Sequence, residues 1–168
     1  MLRPTLDQSI TQDTPRWSAS AWEAFDASCA ALRDQLDAKG LTLCFRPHAD
    51  DMLCDAHACR AFLKRHKGEP FAIIADPTAL LTPAMIPSAA DHLVRIIETH
   101  AATPGVCAMI LTDINLVGER VEAVPLGAGL LDAEMLVNLT RDAWPSDRPV
   151  VLLEEDFAGQ AERFAGEP

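Results

Sequence analysis

Four short apolar runs in this chain each stop at a polar or charged group: Arg46 after Leu41–Phe45, Asp76 after Phe71–Ala75, Thr112-Asp113 after Val106–Leu111, and Glu154 after Val150–Leu153. An apolar run that ends this way is how a buried strand delivers polar groups to a rim. The first is the densest, with Arg46, Pro47, His48, Asp50 and Asp51 following Phe45 directly. An arginine carries five N–H donors and no acceptor, so its chemistry there is to pair with carboxylates across the rim. Asp76 precedes Pro77, and Asx-turn chemistry alone also suits it. Glu154 opens the run Glu154-Glu155-Asp156, which suits either a site or a solvated strand end. His48, Asp50, Asp51, Cys54, His57 and Cys59 are of the types that bind zinc, but their spacing is poor, and a polar loop with buried thiols is the plainer expectation.

The elements that must position these groups repeat. Ser20 and Glu23 form a capping box, and Trp22, Phe25, Cys29, Leu32 and Leu36 recur at helical spacing up to Gly40. The strand Leu41–Phe45 leads through the polar loop to a helix from an Asp55 cap to Lys67. Phe71–Ala75 leads through Asp76-Pro77-Thr78 and a Pro-rich loop to a helix capped by Ser88. Val106–Leu111 leads through a loop punctuated by Gly118, Pro125, Gly127 and Gly129 to a helix capped by Asp132, and Val150–Leu153 leads to a short helical tail. Strands that are continuously apolar rather than alternating are buried on both faces of a parallel sheet, and helices between them make the class α/β. Such sheets assemble sites at the C-terminal ends of their strands. Residues 1–17 have no periodicity and are expected to be an N-terminal arm before a single domain over 18–168.

The balance of charge is −11, with 14 Lys and Arg against 25 Asp and Glu. A uniformly acidic protein is repelled by nucleic acid and anionic membranes, so neither is expected as a partner. No run approaches the roughly 18–20 apolar residues of a membrane helix. The N-terminus lacks a signal-type apolar core, and the five cysteines are an odd count, so a cytoplasmic location is expected.

The segment VPLGAGLLD (124–132) resembles the "PLGxGxxD" loop of the sugar phosphate isomerase/epimerase family, whose fold is the xylose isomerase-like TIM barrel. IIADPTALL (73–81), MILTDI (109–114) and VVLLEED (150–156) resemble its sixth, seventh and eighth strands with their rim residues. A complete barrel has eight strands in about 250 residues, so the resemblance implies a half TIM barrel of four parallel strand–helix units. It also implies a Mg or Mn ion held by four strand-end ligands, with two glutamates moving a proton between sugar carbons. Carried over by position, Asp76 and Glu154 are metal ligands, and Glu154 is also catalytic. Arg46 stands where the first glutamate is expected, Ile110 or a neighbour where the metal-binding histidine is, and Ala79 where a substrate-contacting histidine is. Arg46, His48 and Asp113 are then the substrate-binding residues.

An arginine in place of a ligating carboxylate inverts the electrostatics of such a site, so weak or absent binding of Mg or Mn is expected. Two functions follow. One is a sugar or sugar-phosphate isomerase or epimerase with altered or lost metal-dependent chemistry. The other is a non-catalytic half-barrel relic that binds a small polyol or a protein. Half a barrel also leaves strand edges and an apolar inner face exposed, which implies a homodimer or a partner chain that completes it.

Overall fold

The computed structural model describes residues 18–165, and the expected arm, 1–17, lies outside them. The first helix, α1 (Ala19–Lys39), is capped two residues before the expected position. The hydroxyl of Ser18 accepts from the Ala21 amide at 3.1 Å, while Ser20 falls within the first turn. Gly40 ends it in the left-handed conformation (φ 61) that lets the last carbonyls be capped, and the Leu41 amide bonds back to Leu36 O at 2.9 Å. Because that bond spends the Leu41 amide on the helix, the first strand begins later than expected, as β1 (Leu43–Phe45).

The strand–helix repeat then continues. Asp55 caps α2 (Ala56–Arg65) through a 2.7 Å bond from the Ala58 amide, β2 spans Phe71–Ala75, and two 3-10 turns (Thr78–Leu80 and Pro83–Ser88) lead into α3 (Ala89–Ala101). After β3 (Val106–Ile110) comes a departure from expectation. The glycine-punctuated stretch forms an antiparallel hairpin, β4 (Asp113–Val117) and β5 (Arg120–Val124), closed at Gly118 with φ 63. Asp132 caps α4 (Ala133–Ala143) as expected. The fourth strand is only β6 (Val150–Val151), shorter than Val150–Leu153, and α5 (Phe157–Ala165) is the helical tail.

The strands β1, β2, β3 and β6 form one parallel sheet in that order. Their C-terminal ends, carrying Arg46, Asp76, Thr112-Asp113 and the approach to Glu154, therefore share one rim. Alternate residues face opposite sides. Phe45, Phe71 and Ile73 meet Phe25 of α1 and Phe62 of α2 in one core, and a second core gathers Leu81, Leu93, Leu111, Ile114, Leu126 and Leu136 beneath the hairpin, α3 and α4. Since Phe25 packs on both Phe45 and Phe62, α1 lies in the helical layer and leaves the other sheet face partly open; there Cys107 and Val151 are exposed, whereas Ala72, Ala108 and Ile110 are buried.

The helical layer also contains an acid-sensitive element. His100, in the last turn of α3, is fully buried, and neither ring nitrogen has a hydrogen-bond partner among the described residues. Burial pushes its pKa down to about 4, against a smaller opposing pull from Asp55. The unfolded chain, with an ordinary histidine, binds a proton below about pH 6.5, whereas the folded chain does so only near 4. Stability attributable to His100 is thus complete above that range and lost as pH falls through it, by about 3 kcal/mol in all. His100→Leu is expected to flatten the slope of unfolding free energy between pH 6.5 and 4 and to leave stability at pH 7.5 equal or higher, as read by urea denaturation. An unchanged slope would show that another group sets the acid limit.

Candidate functional site

The rim is built from a chain of hydrogen bonds that crosses three strand ends. Asp76, fully buried after β2, receives both Nε and Nη2 of Arg46 on its Oδ2, at 2.6 and 2.5 Å. Its Oδ1 accepts from the Thr78 hydroxyl and the Ala79 amide, each at 3.2 Å, so the Asx-type turn and the ion pair coexist on one carboxylate. Thr78, having donated its proton to Asp76, accepts from the Thr112 hydroxyl at the end of β3 at 2.5 Å. The result ties β1, β2 and β3 together at their C-terminal ends.

A cleft of about 320 Å³ opens above this floor. Arg46 and His48 line it from the end of β1, Thr78 and Leu81 from beyond β2, and Arg120 and Glu122 from β5 of the hairpin. The Arg46 side chain is 32% exposed, so part of its donor set reaches the cleft while the rest holds Asp76. His48 accepts from the Asp50 amide at Nδ1, 3.1 Å away, which leaves Nε2 as its outward atom.

Of the residues singled out from sequence, Arg46 and His48 share the cleft, and Asp76 lies directly behind Arg46. Asp113 and Glu154 sit elsewhere. Asp113 is fully buried and turned into the 125–131 loop: Oδ1 accepts from the amides of Ile114 and Leu131 at 2.7 and 2.9 Å, and Oδ2 from that of Gly129 at 2.9 Å. The glycine-rich loop does cradle an anion, and the anion is the carboxylate of this residue of the same chain. Glu154 is exposed beyond β6 and does not line the cleft. The hairpin residues Arg120 and Glu122 were not anticipated. Their signal was the alternation of Ile114, Leu116, Val121 and Ala123 about Gly118, a hairpin pattern.

The loop leaves no room at Gly129. A methyl group there would stand 2.5 Å from Asp113 Oδ1 and 2.6 Å from its Cγ, and against the Ile114 carbonyl. Gly129→Ala is expected to cost about 1–3 kcal/mol, comparable to other overpacking substitutions, and to lower the thermal midpoint. A neutral outcome would mean that Asp113 does not anchor this loop.

The expected metal ligands do not fit a Mg or Mn ion. Both oxygens of Asp76 are committed, a guanidinium lies against one of them, and Glu154 is outside the cleft. Among the described residues no three His, Cys, Asp or Glu side chains converge as a metal site, and the polar cluster after β1 does not either; within it, His57 pairs with Arg60.

This geometry, with parallel strand–helix units opening at one rim, is that of a partial TIM barrel. No protein-family model and no curated protein matches the sequence. Among solved structures the chain is similar to the probable 3-DHS dehydratase AsbF involved in petrobactin synthesis from Bacillus anthracis. The TM-score is 0.56 at 12% identity, covering 89% of this chain and 56% of that one. A xylose isomerase-like TIM barrel protein from Mycobacterium smegmatis, in complex with magnesium, gives 0.49 at 11% identity over 88% of this chain and 49% of that one. A xylose isomerase domain protein from Planctomyces limnophilus gives 0.49 at 13% identity over 89% and 53%. The chain thus spans about half the length of the structures it matches. No helix among the described residues is long and apolar enough to cross a membrane.

Proposed function

We propose that this half-barrel binds a small neutral polyol in the Arg46–His48–Arg120 cleft and does so without metal-dependent proton transfer. The observation that carries this reading is the seating of Arg46 Nε and Nη2 on Asp76 Oδ2, which puts a permanent cation where a divalent ion would need its ligand. The cleft's charges are mixed. Arg46 and Arg120 face Asp50, Glu119 and Glu122, and Arg46 is already paired with Asp76. Such a lining repels a phosphate dianion on balance, whereas hydroxyl groups can donate to the carboxylates and accept from the guanidinium groups at once. Its volume is at the small end of ligand pockets.

The isomerase and epimerase reading requires a divalent cation, and the binding reading does not, so calorimetry separates them. Pentitols and hexitols are expected to bind the wild-type chain with the same affinity in chelator and in Mn²⁺, and Mn²⁺ alone is expected to bind weakly. Arg46→Glu is expected to raise Mn²⁺ affinity at least tenfold by restoring a carboxylate. Tight Mn²⁺ binding by the wild type that the substitution does not improve would reject the assignment of Arg46; absence of any polyol heat would reject the ligand class.

The edges at β1 and β6, unpaired among the described residues, and the partly open sheet face suit closure by a second copy, since two four-stranded halves related by a two-fold axis supply the eight strands of a barrel. Sedimentation at micromolar concentration is expected to show a dimer. A cooperative, well-folded monomer would reject it.

A further inference from the structure

The open sheet face carries a pair of thiols that the cleft does not use. Cys44 of β1 and Cys107 of β3 are 63 residues apart in sequence, yet their sulfurs lie 3.9 Å apart. Three features bring them together. Strand alternation turns Cys44 away from the helical core that takes Phe45. The register between β2 and β3 shifts at Ile73/Ile74, so that Val106 pairs with Ile73 and Ala108 with Ile74, leaving Cys107 as the extra, bulged residue. The strand between them offers Ala72 opposite Cys44, and a methyl group leaves the space above β2 to the two sulfurs. In the single chain Cys107 is exposed and Cys44 half-buried, so the pair is reachable from solvent until a second copy closes the barrel around it.

We infer that Cys44 and Cys107 form a two-sulfur site for a soft monovalent metal ion, Cu⁺, on the open face of the half-barrel. At a metal–sulfur distance of about 2.3 Å, sulfurs 3.9 Å apart subtend an angle of roughly 116° at the ion. Opening toward a linear S–Cu–S unit requires the sulfurs to separate further by on the order of 0.7 Å, within reach of side-chain rotation. Thiolates are the ligands that soft ions select. The choice of a two-coordinate ion rests on the donor count, because no third His, Cys, Asp or Glu side chain joins the pair among the described residues. Zn²⁺, which takes four ligands in its structural sites, is half-provided for. On binding, each thiol releases its proton to solvent and the ion keeps its oxidation state, giving a bis-thiolate complex of net charge −1. The other three cysteines differ: Cys29 and Cys59 are buried, and Cys54 contacts Asp55.

The test is a competition, under reducing and anaerobic conditions, between the full chain and a chromogenic Cu⁺ chelator. Wild type is expected to withdraw one equivalent of Cu⁺ with an affinity at least 100-fold above that of the Cys44→Ser/Cys107→Ser double variant, and Cys54→Ser is expected to behave as wild type. X-ray absorption of the loaded protein should show two sulfur neighbours. Should the double variant fail to fold, Cys107→Ser alone, at an exposed position, is expected to lose the equivalent while keeping the wild-type melting transition. Equal withdrawal by wild type and a folded variant lacking Cys107 would overturn the site. Zn²⁺ binding as tight as Cu⁺ binding would overturn the two-coordinate assignment.

Discussion

Arg46→Leu is expected to lower the unfolding free energy by about 3–5 kcal/mol at neutral pH, the range for breaking a buried ion pair by removing one partner. The reason lies with the residue left behind. Asp76 has no exposure of its own, and Arg46 supplies both N–H groups on its Oδ2, so the leucine variant strands a carboxylate oxygen beneath the cleft floor. The Thr78 and Ala79 donors on Oδ1 remain, but they are single neutral hydrogen bonds at 3.2 Å. Adding Asp76→Asn to the leucine background removes the stranded charge and is expected to recover about half or more of the loss, by the logic that deleting both partners is far cheaper than deleting one. Urea denaturation of the two single variants and the double variant measures this. A cost for Arg46→Leu below about 1 kcal/mol, the level of an exposed pair, would mean that Asp76 is hydrated and that the pair is no floor for a ligand.

Phe62→Ala is expected to cost about 3–5 kcal/mol, as large-to-small substitutions in well-packed aromatic cores do. Phe62 is fully buried in α2, and its ring centroid lies 5.4 Å from that of Phe25, 5.2 Å from Phe45, 6.2 Å from Phe71 and 4.5 Å from His66. It is therefore where α1, α2, β1 and β2 meet, and alanine would leave four ring faces without a partner. Against a net domain stability of roughly 5–15 kcal/mol, the loss is a large fraction of the whole, and at the low end of that range it puts a measurable share of the chain in the unfolded state at 37 °C. Phe62→Leu keeps more of the volume and is expected to cost clearly less. Phe157, which is 57% exposed at the start of α5, provides the surface reference. If Phe62→Ala and Phe157→Ala shift the urea midpoint equally, the core is not centred on this ring.

The sequence by itself determined the elements whose signals are local. Gly40, Asp55, Asp132 and the continuous apolar runs each act within a few residues, through a left-handed cap, a side-chain cap or a buried strand, and the α/β repeat followed from them. It also showed that charged groups end the strands. Which of those groups meet was decided by strand order. Arg46 reaches Asp76 because β1 and β2 are neighbours, while Glu154 follows β6 at the opposite edge, beyond a strand that stops at Val151. The hairpin was obscured because its glycines and proline read as loop, and its polar strands, with Arg120 and Glu122, gain stability only where Ile114 and Val121 pack on the second core. Asp113 is equally ambiguous in sequence, as a free rim carboxylate and a buried one have the same neighbours in the chain; the amides of Gly129 and Leu131 that turn it inward come from beyond the hairpin. The thiol pair is further still from local reading, since it depends on a one-residue register shift between β2 and β3 that no periodicity announces. Caps and strand runs are set by interactions within a turn or two of chain, whereas the cleft and the two-sulfur face arise from contacts between residues 30 to 63 positions apart, which exist only once the sheet has assembled.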